Sequence, residues 1–274
     1  MSYIQPNEPT KALSINSLIN MRNEGEKITS LTAYDASFGT LFDQVGVEII
    51  LIGDSLGNVI QGHTSTLPVL IQDMVYHTAC VSRNIKRSYV ISDMPFASYG
   101  DPSTALKNAA LLMQAGAKMV KIEGGSWLVP TIEHLVRQGI PVCAHLGLTP
   151  QSVNTLGGFK VQGKTASQAN QMLEDARALE SAGAQLLVLE AIPSSLGKKI
   201  TESIKIPTIG IGAGPDCSGQ VLVMHDAFGA FPGRQPKFVK NFLEESGSII
   251  KAVELYIKEV KSGTFPAPEH CFSG

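Results

Sequence analysis

The chain lacks most of what would mark a secreted, membrane-spanning or nucleic-acid-binding protein. Its 274 residues hold four cysteines, Cys80, Cys143, Cys217 and Cys271, and none of them form a Cys-x-x-Cys pair. The opening residues 1–8 lack a basic segment followed by an apolar one. Without a disulfide framework or a signal peptide, the expected compartment is a reducing one, the cytoplasm. No run approaches the ~20 apolar residues that a bilayer-spanning helix needs. Runs of like charge are also missing: the net charge is −2 and the 22 basic residues are dispersed. A nucleic-acid-binding face would concentrate Lys and Arg, so that partner class is excluded, and membranes with it. Residues 251–261 mix Lys with Glu, the pattern of a solvated helix face. No linker or low-complexity segment divides the chain, and a single domain over 1–274 is expected.

What is present is a repeated unit. A helix ends at a glycine and an apolar strand follows at once, as in Gln44-Val-Gly46-Val-Glu-Ile-Ile-Leu, Gln114-Ala-Gly116-Ala-Lys-Met-Val, Arg137-Gln-Gly139-Ile-Pro-Val and Ser181-Ala-Gly183-Ala-Gln-Leu-Leu-Val. Glycine takes the left-handed conformation that closes a helix without steric cost. Strands that are apolar throughout suit a parallel sheet covered on both faces. Between them lie helical spacings: Leu106, Ala109, Ala110 and Met113 fall at i, i+3, i+4 and i+7. Asp101-Pro102 supplies a helix cap followed by proline in the first turn.

Strands are expected at residues 28–34, 47–53, 89–93, 118–123, 141–145, 185–190, 207–212 and 221–225. Eight alternating units favour an α/β fold closed into a (β/α)₈ TIM barrel, typically ~250 residues long, over an open doubly wound sheet. An N-terminal helix would close the bottom, and residues 238–261 form a C-terminal helical extension broken at Gly247. Two long loops, 54–70 and 146–165, follow strands two and five, where barrel active sites and mobile lids are built.

Five consecutive strands end in an ionisable residue: Asp54 (beside Ser55), Asp93, Glu123, His145 and Glu190. Any one alone is as readily a helix cap or a salt-bridge partner. Together they place several acids at one mouth, where crowded carboxylates repel unless a cation is present. An all-oxygen set without Cys favours Mg²⁺ over zinc. A ligand with a carboxylate beside a carbonyl would chelate such an ion, which would stabilise an enolate oxygen. Lys121, two residues before Glu123, points to the same side of its strand and would donate to that oxygen, or form a salt bridge. Glu190 ends the apolar run from Leu186, and an apolar setting would raise its pKa and suit it to abstract a proton beside a carbonyl.

Three motifs carry weaker signals. Gly53-Asp-Ser-Leu56 matches the nucleophile block of GDSL-type hydrolases, but the other blocks of those enzymes are missing. Gly210-Ile-Gly-Ala-Gly214-Pro has Pro215 where a dinucleotide loop needs its third glycine, so a turn beside the strand-seven rim is the better reading. Met224-His225-Asp226 is weak evidence for a metal. Cys143 in a strand and Cys80 in a helix read as buried filler.

These blocks, with Thr32-Ala-Tyr-Asp35, Gln61-Gly-His63, Thr66-Leu-Pro68, Val120-Lys-Ile-Glu-Gly-Gly125, His145-Leu-Gly-Leu-Thr-Pro-Gln-Ser152, Lys160-Val-Gln-Gly163 and Leu187-Val-Leu-Glu190, resemble the ketopantoate hydroxymethyltransferase family from about Ile15 to about His270. The resemblance implies a phosphoenolpyruvate/pyruvate-binding type of barrel. It also implies transfer of a hydroxymethyl group from 5,10-methylenetetrahydrofolate to 3-methyl-2-oxobutanoate, giving 2-dehydropantoate for pantothenate synthesis. By motif, Asp54 and Asp93 would bind Mg²⁺ and Glu123 would complete the site, directly or through water. Asp54, Ser55, Asp93, Lys121 and His145 would contact the keto acid, and Glu190 would accept the C3 proton. The chain departs from the family pattern at Ala191-Ile192 and at residues 215–218 and 230–234, beside site elements rather than on the acids. Family members are homodecamers, and Ile249, Ile250, Val253 and Ile257 would serve such packing or pack on their own barrel. The alternatives are a related metal-dependent 2-oxo acid carbon–carbon lyase and a non-catalytic keto acid-binding barrel.

Overall fold

Each glycine of the repeated unit adopts the left-handed conformation: φ is +109° at Gly46, +112° at Gly116, +81° at Gly139 and +104° at Gly183. The computed structural model describes residues 11–233 and 235–274; the N-terminal segment read above for a leader, and Arg234 of the 230–234 segment, lie outside it. In chain order the elements are α1 (Ile15–Asn23), β1 (Ile28–Thr32), α2 (Ala36–Val45), β2 (Ile49–Ile52), α3 (Leu56–Val59), α4 (Ile71–Ser82), β3 (Tyr89–Asp93), α5 (Pro102–Gln114), β4 (Met119–Glu123), α6 (Val129–Arg137), β5 (Val142–Gly147), α7 (Val153–Leu156), α8 (Ala166–Ser181), β6 (Leu186–Glu190), α9 (Ser194–Ser203), β7 (Thr208–Ile211), β8 (Gly219–Leu222), α10 (Met224–Ala227), α11 (Phe242–Ser246) and α12 (Ile249–Ser262). All eight strands are parallel, and β8 pairs with β1, so the sheet is a closed barrel and not an open one. Among the described residues, no helix is long and apolar enough to cross a membrane. The four cysteines carry no disulfide.

Strand alternation divides the apolar residues into two cores. Leu31, Ile50, Val90, Val120, Ala144 and Leu187 face the surrounding helices. Ile49, Leu51, Ile91, Met119, Val188 and Ile211 fill the barrel interior, and Leu18 and Met21 of α1 plug it from below as expected. Both faces of the strands are therefore buried, which is why β2 and residues 186–189 of β6 read as unbroken apolar runs.

The structure corrects three boundaries. The eighth strand is Gly219–Leu222 rather than 221–225, because the amides of Asp226 and Ala227 both donate to Val223 O and wind Met224-His225-Asp226 into α10. No helix joins β7 to β8; residues 212–218 make the return alone. Gly212 and Gly214 supply left-handed turns there, and Lys27 Nζ donates to Pro215 O at 2.7 Å and Cys217 O at 2.6 Å. The glycine motif expected at the strand-seven rim is thus a short crossover. The C-terminal helical region starts at Phe242, capped by Asn241, and Gly247 (φ +73°) separates α11 from α12.

α12 spends its apolar face on its own barrel. Val253 and Tyr256 are buried, and Tyr256 O–H lies 2.9 Å from Ser30 O and 2.8 Å from Gln220 O, bridging the β1–β8 seam. Lys261 pairs at 2.9 Å with buried Glu48, which also accepts the Thr29 N–H at 2.8 Å. Only Ile250 of the four apolar residues singled out on this helix is exposed.

Candidate active site

Parallel strands of one barrel end on one rim, and their register brings the ionisable residues level. Asp93 is opposite Lys121, Glu123 opposite His145, and Gly147 opposite Glu190. Side chains alternate along a strand, so Lys121 and Glu123 both point inward. Asp54, Asp93, Lys121, Glu123 and His145 are all buried, and Glu190 is more open, with 15% of its side chain exposed. The six therefore form one cluster at the carboxyl mouth of β2 to β6.

Lys121 is the hub. Its Nζ lies 3.1 Å from Asp93 Oδ1 and 3.3 Å from Glu123 Oε1. Burial alone would lower its pKa, but Asp93, Glu123 and Asp54 overcome this and hold the ammonium well above the ordinary lysine value. His145 Nδ1 donates to the same Glu123 oxygen at 3.0 Å, and its Nε2 lies 3.4 Å from Glu190 Oε2. Burial and Lys121 pull the imidazole pKa down, yet Glu123 and Glu190 raise it to about 9, so His145 is a cation at neutral pH. Against burial, Lys121 and His145 bring Glu123 down to about 2. Both cations thus bear on Glu123, and Lys121 bears on Asp93 as well. Asp54 and Asp93 move the other way: burial, with Glu123 and Asp93 beside it, pushes Asp54 well above the carboxylate range, and burial raises Asp93 despite Lys121.

Several contacts were not foreseen from the sequence. Gln151 sits in a 3₁₀ turn, Pro150–Ser152, at the head of the long loop after β5. Its Nε2 donates to Asp54 Oδ2 at 2.8 Å and to Met94 O at 2.9 Å, and its backbone N–H donates to Glu123 Oε2 at 3.1 Å. The Tyr99 hydroxyl donates to Gln151 Oε1 and accepts the Glu123 N–H at 3.2 Å. Tyr34 O–H and Ser55 Oγ pair at 2.9 Å. The only sequence signal for Gln151 and Tyr34 was their presence in family blocks, without an assigned role. Ser55 has a phenol and not a histidine as its partner, in keeping with the rejected hydrolase reading.

Backbone geometry seats Glu190. Gly147 has φ +96°, and a Cβ there would stand 2.2 Å from Glu190 O, so only glycine lets β5 and β6 approach this closely. Ala191 follows at φ +46°, a conformation that costs a non-glycine residue about 1–2 kcal/mol. It turns the chain away just past the carboxylate. The apolar surroundings expected for Glu190 are not what it meets. Leu187 and Leu189 of its strand face the helix layer and Leu186 and Val188 the interior, while its carboxylate faces His145 at the mouth. Cys143 pairs in register with Lys121, nearer the acids than its place in the sequence suggests. It is sealed in the interior and burial pushes its thiol up to about 12, so it remains filler. His225 and Asp226 lie on α10, where burial raises Asp226 to about 6.

Among the described residues, no three His, Cys, Asp or Glu side chains form a ready-made metal cage. Glu123 has both oxygens engaged, one by Lys121 and His145 and the other by the Gln151 amide. The acids that suit a cation are Asp54 and Asp93. Asp93 Oδ1 is buried without a hydrogen bond, held only by the Lys121 ion pair. Two adjacent buried carboxylates, one with an oxygen that accepts no hydrogen bond, fit a hard ion that takes few protein ligands and keeps several waters, as Mg²⁺ does.

Comparison with known proteins gives a consistent picture. The sequence model of the family described as ketopantoate hydroxymethyltransferase matches residues 12–268. A 3-methyl-2-oxobutanoate hydroxymethyltransferase from Colwellia psychrerythraea is 64% identical over 256 residues, covering 93% of this chain and 97% of that one. One from Janthinobacterium is 60% identical over 271 residues and covers 99% of both. Among solved structures, a phosphonopyruvate hydrolase complexed with oxalate and Mg²⁺ superposes with a TM-score of 0.60 at 13% identity, over 94% of this chain and 93% of that one. A 2,3-dimethylmalate lyase of the phosphoenolpyruvate mutase/isocitrate lyase superfamily gives 0.59 at 17% identity, over 85% and 88%. At such identities these structures speak for the fold alone.

Proposed function

The chain belongs to the ketopantoate hydroxymethyltransferase family, and we propose the following working of its site. The enzyme is a hydroxymethyltransferase acting on 3-methyl-2-oxobutanoate, with 5,10-methylenetetrahydrofolate as one-carbon donor and 2-dehydropantoate as product. The observation that carries this reading is the joining of Asp54, Asp93, Lys121, Glu123, His145 and Glu190 in one mouth.

Asp54 and Asp93 would hold Mg²⁺, with Glu123 in reach through water. When bound, the ion supplies positive charge for the carboxylate and 2-oxo oxygens of the keto acid. Lys121, kept charged by its three acid neighbours, turns one N–H toward the 2-oxo oxygen and stabilises the charge that develops there. Ser55, oriented by Tyr34, donates to the substrate carboxylate. Glu190, at the open side of the cluster, takes the proton from C3. His145 lies between Glu123 and Glu190 and holds the base in place. Carbon C3 then bonds to the one-carbon unit as both carbon–nitrogen bonds to the folate break; water supplies the hydroxyl oxygen, and the C3 proton and one water proton end on the two folate nitrogens, releasing tetrahydrofolate and 2-dehydropantoate. The related lyase reading has no support beyond the shared fold, and no feature of the cluster points to a non-catalytic binder. A homodecameric assembly is part of the same proposal; it would use surfaces other than the α12 face committed to its own barrel.

The test is folate-dependent turnover of 3-methyl-2-oxobutanoate with and without chelator, alongside exchange of its C3 proton in deuterated water. Turnover should vanish with chelator and return with Mg²⁺. Glu190→Gln should lower C3 exchange by roughly 10²–10⁴-fold, the usual worth of a general base. Exchange at the wild-type rate in that variant would remove Glu190 from the role.

A further inference from the structure

We propose that Gln151 is a positioning residue of the cation site: it fixes the orientation of the Asp54 carboxylate and thereby sets the affinity for the divalent ion. The inference rests on the reading of Asp54 and Asp93 as the acids that hold it.

The Gln151 carboxamide is buried and saturated. Its two N–H donors go to Asp54 Oδ2 and Met94 O, and its oxygen accepts from Tyr99. The amide cannot be turned over, because the Met94 backbone carbonyl can only accept and must face the NH₂ group. Among the described residues it is the one side chain that donates a hydrogen bond to the Asp54 carboxylate, and Asp54 Oδ1 accepts none. One oxygen of Asp54 is therefore held and the other is left for a ligand.

Tyr99 secures the arrangement from behind. Its hydroxyl accepts the N–H of Glu123 and passes its own proton to Gln151, so a chain of hydrogen bonds runs from the β4 end to the β2 end. Each member polarises the next. The Gln151 backbone N–H also donates to Glu123 Oε2. A single loop residue thus spaces two acids that lie far apart in sequence. Partners that orient metal-binding carboxylates in this way are typically worth 10–100-fold in affinity.

Titration calorimetry of metal-stripped full-length protein with MgCl₂ tests this, with thermal unfolding in chelator measured beside it. Gln151→Leu keeps roughly the side-chain volume and removes the amide. It should weaken Mg²⁺ binding by about ten- to a hundred-fold. Tyr99→Phe removes only the hydroxyl behind the amide and should weaken binding several-fold; it decides the matter if the Leu variant does not fold. Both variants binding Mg²⁺ as the wild type does, whatever their unfolding temperatures, would overturn the proposal and leave Gln151 a merely structural residue. Asp54→Asn is the control for the parent reading: if that variant binds Mg²⁺ like the wild type, the fault lies in the assignment of the cation site and not in Gln151.

Discussion

Replacing Lys121 by Met should destabilise the metal-free protein and at the same time strengthen its response to Mg²⁺. Met keeps the unbranched stem and removes the charge. Lys121 stands 3.1 Å from Asp93 and 3.3 Å from Glu123, and all three are buried. At about 3 Å and an effective dielectric of about 20, each unit pair is worth about 5 kcal/mol before desolvation. Desolvation cancels much of that, and removing one partner of a buried pair costs about 3–5 kcal/mol net. Loss of Lys121 also raises the proton affinity of Asp93 and Glu123 in the folded state. A carboxyl group whose folded pKa lies above its unfolded one favours folding at low pH and loses that contribution as pH rises. The deficit should therefore be small near pH 4 and grow towards pH 8. The sign reverses for a divalent cation, because the mouth then carries one more uncompensated negative charge. Saturating Mg²⁺ at about 100 times its Kd stabilises a protein by about 2.7 kcal/mol, and the gain should be larger in the variant. Urea unfolding at fixed protein concentration, in chelator and in Mg²⁺, across that pH range measures both effects. A variant as stable as the wild type in chelator, or stabilised less by Mg²⁺, would refute the charge accounting.

Two further outcomes follow from the same geometry. His145 has its pKa raised to about 9 by Glu123 and Glu190, against burial and Lys121, so its contribution is fully present below about pH 6.5 and lost as pH rises through 9. In chelator, the wild type should therefore lose up to about 3 kcal/mol between pH 6.5 and 9.5 that His145→Gln does not lose; parallel pH curves would contradict the pairing. Gly147→Ala would place a methyl group 2.2 Å from Glu190 O at a left-handed φ. It should cost more than about 2 kcal/mol in urea unfolding and displace the Glu190 carboxylate, with kcat falling further than stability accounts for.

Much of the site was legible because barrel physics converts sequence position into place. Parallel strands capped by glycine-closed helices end on one rim, so Asp54, Asp93, Glu123, His145 and Glu190 could be grouped from spacing alone. Lys121 joined them through strand alternation. The end of β8 was not legible, because Val223 suits a strand or the entry to α10, and the Val223 carbonyl decides between them. The helixless return from β7 was hidden for a similar reason: a glycine-rich turn and a short crossover have the same composition.

The chain by itself determined the barrel, its closure from below by α1, and which residues carry charge at its mouth, because periodicity and position suffice for these. Only the tertiary structure decided how that charge is shared. Lys121 and His145 both reach Glu123, Lys121 also pairs with Asp93, and burial raises the pKa of Asp54 and Asp93. Gln151, 97 positions from Asp54, reaches it through a loop whose path no local pattern encodes. Distances between side chains on different strands and loops arise from packing, and packing is a property of the folded whole.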